Sequence, residues 1–151
     1  MTDVAAHGLS VSLLPGWEAR IFRRQPDHPL EGTHPILHLA NFTLPEERGD
    51  FGGGVTERMA GSDVFVCLFE YGPESLGKPL FAHHGMPRLR AGRFSPASLQ
   101  RTLPGQAGCQ LFFTEGRRPF CLYAVVADHQ RVPHLVDDIG AAVSKVRIVS
   151  R

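Results

Sequence analysis

The residues best placed to do chemistry are arginines in two short stretches. PRLRAGRF (residues 87–94) holds Arg88, Arg90 and Arg93, and Arg117-Arg118 follows at the tip of an expected hairpin. Alternate side chains of an extended chain share a face, so Arg88 and Arg90 would stand side by side as two guanidinium forks able to grip a carboxylate or phosphate. The competing reading is solvated, loosely ion-paired arginine. A second candidate is Gly52-Gly53-Gly54 ahead of Val55-Thr56-Glu57-Arg58, because backbone N–H groups before a helix can cradle phosphate. The Gly-Lys-Ser/Thr of a P-loop is absent, and the dinucleotide fingerprint needs a parallel sheet. The stretch 45–54 (PEERGDFGGG) is therefore expected to be the most flexible loop, free to move as a lid. Gly52, Gly53, Gly54, Arg88 and Arg90 are the candidate ligand-binding residues. A shared pocket would require the middle of the chain to fold back across the sheet.

Other chemistries find less support. His83 and His84 are adjacent and point to opposite sides of an extended chain. His34 and His38 have i, i+4 spacing, but on a strand that separates them by roughly 13 Å. His38 shares its strand face with Ile36, Ala40 and Phe42 and reads as a core histidine with a backbone partner. There is no Cys-x-x-Cys, and no metal or cofactor is expected. Cys67 and Cys121 fall in apolar strands and read as small buried hydrophobes, while Cys109 lacks a base in its sequence neighbourhood. Gly-x-Ser-x-Gly is missing. Glu46-Glu47 lies in the glycine-rich loop, and Asp137-Asp138 lies early in a helix, where acids complement the dipole. No catalytic residue is assigned.

The elements that must position these groups follow from hydrophobic period. Residues 8–13 and 17–21 alternate apolar and polar around Leu14-Pro15-Gly16 and predict an amphipathic hairpin. Residues 24–33 predict a loop, 34–42 a third strand, and 55–60 a short helical turn. Residues 63–71 (DVFVCLFEY) are apolar on both faces, as are 119–127, which pair with 108–114 around Glu115-Gly116; such strands lie centrally in a sheet. Residues 72–105 are rich in Pro and Gly, with a short strand expected at 87–94. Pro133 opens a helix whose stripe is Leu135, Val136, Ile139, Val143 and Val146, and a short extended segment follows at 147–149. The expectation is α+β: an antiparallel sheet built from hairpins, with the C-terminal helix on one face and the long middle segment on the other.

Composition narrows function by exclusion. A chain of 151 residues, 42% hydrophobic, suits one domain, residues 1–151, with a real core. The net charge of +1 gives no global attraction to nucleic acid or anionic lipid. All basic residues but Lys78 and Lys145 are arginine, yet they are scattered, as a GC-rich genome would produce. Three cysteines do not make a disulfide framework. No apolar run reaches the ~20 residues of a membrane span, and residues 1–8 lack the pattern of a signal peptide. A cytoplasmic location is expected.

The segment GLSVSLLPGWE (residues 8–18) resembles the opening of small bacterial domains with the Mog/PsbP-like fold, which start with a glycine-led strand and a Pro-Gly turn ending in Trp. The closing hairpin, striped helix and short strand are similar to the end of that fold, and the whole chain resembles proteins of actinobacterial type. The resemblance implies binding or assembly and carries no catalytic residue with it. The expected function is a soluble, non-catalytic domain that binds a protein partner or itself. The alternative is a small-anion-binding protein or enzyme with a pocket near the glycine loop and PRLRAGRF.

Overall fold

A computed structural model describes residues 2–24, 26 and 32–151. Most of the loop expected at 24–33 thus lies outside the described residues. The strands are β1 (Asp3–Ala6), β2 (Leu9–Ser12), β3 (Glu18–Phe22), β4 (Ile36–Ala40), β5 (Val64–Glu70), β6 (Ala107–Glu115), β7 (Arg118–Val126) and β8 (Val146–Ile148); the helix α1 spans Val132–Val143. They build an α+β fold with two antiparallel sheets, ordered β3-β4-β5-β7-β6 and β1-β2-β8.

The doubly apolar strands β5 and β7 are neighbours inside the larger sheet, in register from Val64↔Val126 to Glu70↔Phe120. One face of that sheet carries Leu37, Val66, Leu68, Leu122 and Ala124 against Leu135, Ile139 and Val143 of α1 and against Leu9 and Val11 of β2. Ile139 is wholly buried. The other face carries Ile36, Phe65, Cys67, Cys121 and Tyr123 and is covered by Leu44, Phe51, Val55 and Met59. The glycine-bearing segment is therefore packed down as that face's lining.

One expected pairing differs. Strands 8–13 and 17–21 do not pair: β2 joins β1 and β8, and β3 joins β4. The β1–β2 connection is the two-residue turn His7-Gly8, with φ of 53° and 77°, the doubly left-handed form that matches strand twist. Pro15 and Gly16 (φ 84°) form a turn closed by Trp17 N–H on Leu14 O, 3.1 Å, and that turn carries the chain from the smaller sheet to the larger. The middle segment also departs from expectation. Instead of blanketing one face it wraps the β6 edge, sending Leu89 and Phe94 into the helix-side core and Leu99 to the opposite face.

Candidate functional site

Strand β6 ends the larger sheet, and an uncovered edge strand invites unwanted pairing. The chain closes this edge at two points. Ser95 and Gly108 exchange N–H···O bonds of 2.9 and 3.0 Å, while Thr114 donates to His83 O (2.8 Å) and accepts from Gly85 N–H (2.9 Å). The hydroxyl of Thr114 donates to Phe81 O at 2.7 Å, fixing the 3-10 turn Pro79–Phe81 beside the edge. Between the two closures residues 86–94 bow away from the sheet. Leu89 is buried, so its neighbours Arg88 and Arg90 turn out to solvent, and the 3-10 turn Ala91–Arg93 brings round a third arginine.

Arg88, Arg90, Arg93 and His83 line one cleft of about 380 Å³, walled by Leu80, Pro87, Leu111 and Phe112 and floored near Gln110. The volume falls in the range of small-ligand sites. No carboxylate lines it. None of the three arginines has an ion pair or a side-chain hydrogen bond among the described residues, whereas Arg20, Arg24, Arg101, Arg118, Arg131 and Arg151 all meet acids. Unpaired cations sharing a low-dielectric wall focus a positive potential, and guanidinium forks suit planar or tetrahedral oxyanions. Arg88 also borders a hollow of about 410 Å³ against α1, with Asp137 and Gly140 opposite.

Gly52, Gly53 and Gly54 do not meet Arg88 and Arg90. They lie over β4 and β5 on the face away from α1, and their N–H groups are largely taken: Gly52 N–H donates to Gly49 O (3.0 Å), and Gly54 N–H donates to the Glu57 carboxylate (2.6 Å). An acid already occupies the position where a phosphate would sit. Gly52 answers a packing need instead. Gly52 has φ 92°, and a Cβ there would meet Phe65 at 2.6 Å.

What clamps this segment is a buried cluster around His38. His38 Nε2–H donates to Asp50 O (2.7 Å), Arg48 Nε–H donates to His38 Nδ1 (3.0 Å), and the Cys67 thiol also donates to Asp50 O (3.1 Å). Because Asp50 O can only accept and Arg48 can only donate, the tautomer follows from the partners. Phe22 and Phe65 meet the ring edge-on, with centroids at 4.9 Å each. Burial, with a smaller contribution from the Arg48 charge and against the bond to Asp50, lowers the His38 pKa to about 4. Burial likewise pushes the Cys67, Cys109 and Cys121 thiols up, the last to about 12. Neutral thiols inside a core are poor nucleophiles. Among the described residues no three His, Cys, Asp or Glu side chains gather as a metal-ligand set.

Sequence reasoning placed Arg118 with Arg117 in an exposed basic tip. Arg117 is exposed, but Arg118 is 1% exposed and bound to Glu70. It grouped Arg93 with Arg88 and Arg90 but assigned only the latter two to a ligand, and the cleft adds Arg93 and His83 to them. Their shared membership of residues 79–94 was visible, but the bow that gathers them depends on the bonds to Gly108 and Thr114. No helix among the described residues is long and apolar enough to cross a membrane. Compared with protein-family models, curated proteins and solved structures, the chain shows no match.

Proposed function

We propose that this chain is a non-catalytic binding domain that takes up an anionic group, carboxylate or phosphate, in the cleft at the β6 edge. The observation that carries the reading is the convergence of Arg88, Arg90, Arg93 and His83 on one concavity that no acid lines, the three arginines without an ion pair among the described residues. Neutral, buried thiols and the lack of a nucleophile–base pair in the cleft favour binding over turnover. The resemblance of residues 8–18 to the Mog/PsbP-like opening points the same way, and three buried free cysteines suit a reducing, cytoplasmic setting.

Assembly through an apolar face has less support. Leu76, Leu80 and Val149 are the exposed large hydrophobics of the described residues, too few for a broad patch. Calorimetric titration with inorganic phosphate and with succinate at low salt tests the reading. Binding should weaken about tenfold or more in Arg88→Ala/Arg90→Ala and fade as salt screens the site. Equal affinity in wild type and variant would end it.

A further inference from the structure

The backbone of β6 adds a second feature to this cleft. Gly108 and Thr114 both turn their N–H and C=O groups away from β7, toward Ser95 and toward His83 and Gly85. In an antiparallel ladder this orientation recurs at every second residue, so Gln110 and Phe112 aim their backbone groups outward as well. Within the described chain no hydrogen bond reaches those four groups. The edge is thus closed at both ends and open in the middle, over a window about 20 Å from Gly108 to Thr114 at strand spacing. Gln110 and Phe112 line the arginine cleft itself.

We infer that the ligand of this cleft is an acidic, extended peptide segment of a partner protein, which adds about three residues as a short strand against Gln110 and Phe112 and sets alternate carboxylates toward Arg88, Arg90 and Arg93. The inference rests on the anion-binding reading and names its ligand. Main-chain pairing supplies register, and side chains on alternate positions supply selectivity. Alternation also matches the cations, since Arg88 and Arg90 are two residues apart. Beyond Thr114 the charge continues: a neighbouring cleft of about 530 Å³ is lined by Lys78, His84 and Arg117 and by no acid. A free phosphate would use the guanidinium groups and leave the strand edge unpaired. A peptide uses both.

Charged side chains beside an edge can also serve to repel strands, and the experiment separates that role from recognition. Random heptapeptides displayed on phage are selected on the intact protein, and the strongest binder is synthesised with and without N-methylation at alternate residues. The expected winners carry Asp or Glu at i and i+2. N-methylation, which leaves charge intact, should weaken binding about tenfold or more, and the bound peptide should protect the amides of Gln110 and Phe112 from hydrogen exchange. Failure to enrich acidic peptides, or equal binding of the N-methylated form, would overturn strand addition. If phosphate and succinate still bind in that case, the anion-binding reading stands without it. If they do not bind either, both fall.

Discussion

Arg118 and Glu70 meet as a fork-to-fork pair inside the protein, with Nη2–Oε1 at 2.6 Å and Nε–Oε2 at 3.1 Å. The remaining guanidinium hydrogens go to backbone: Nη1 to Gly8 O and Val149 O, and Nη2 to His7 O, each 3.1 Å. All five donors of the group are used. One side chain at the start of β7 thereby ties the β1–β2 turn and the end of β8 to the larger sheet. Arg151 closes the pair from outside, with Nη1 3.0 Å from Glu70 Oε2.

Removing Arg118 leaves the buried Glu70 carboxylate with only the half-exposed Arg151, and three backbone carbonyls without their donor. Arg118→Met should therefore lower stability by about 3–5 kcal/mol, measured by urea denaturation. Adding Glu70→Leu should recover only part of it, because the carbonyls of His7, Gly8 and Val149 still lack their donor. Full recovery would mean that those backbone bonds contribute little.

The stripe of α1 gives a second test of the core. Ile139 is wholly buried between helix and sheet, and Ile139→Ala should cost about 2–5 kcal/mol. An unchanged denaturation midpoint would contradict the packing described for α1.

His38 makes stability depend on pH with a definite sign. Its folded pKa, about 4, lies below the ordinary 6.5, so between these values the unfolded chain binds the extra proton. The stability this histidine supports is complete above pH 6.5 and declines as pH falls toward 4, by up to about 3 kcal/mol. Protonation of Nδ1 would also remove the acceptor of Arg48. Denaturation midpoints at pH 7 and pH 4.5 check this. The drop should shrink in His38→Gln, and an equal drop in both proteins would assign the slope to other groups.

Gly52 and Gly53 should respond differently to the same change. Gly52→Ala combines left-handed backbone with collision against Phe65, and about 1–3 kcal/mol is expected to be lost. At Gly53 the nearest atom to an added Cβ is Gly49 Cα, at 3.8 Å, with ordinary φ, so Gly53→Ala should stay close to wild type. Parallel thermal melts of the two variants distinguish a packed lining from a free lid.

The elements legible in the sequence were those declared by local period: the doubly apolar β5 and β7, the β6–β7 hairpin and the striped α1. What escaped was decided by pairing between distant segments. The small strand β1 has a pattern too short to read, though His7-Gly8 is in retrospect a turn signal for two left-handed residues. Leu13-Leu14 interrupts the alternation between β2 and β3 where the chain changes sheets, a break that looked like an ordinary hairpin approach. The arginines of residues 87–94 were visible as a cluster. Their cleft was not, because it is made by two backbone closures, at Ser95 and at His83–Gly85, that no side-chain pattern announces. The glycine run attracted a ligand hypothesis for its type alone, and what requires glycine at Gly52, the ring of Phe65, lies in β5.

The most direct measurement is a backbone amide titration with inorganic phosphate at low salt, which reports where an anion lands. Saturable shifts are predicted at Arg88 to Arg93 and at Gln110 to Phe112, with Gly52 to Val55 unmoved. Shifts centred on the glycine segment, or none at any of these amides, would contradict a cationic cleft at the β6 edge as the site of binding.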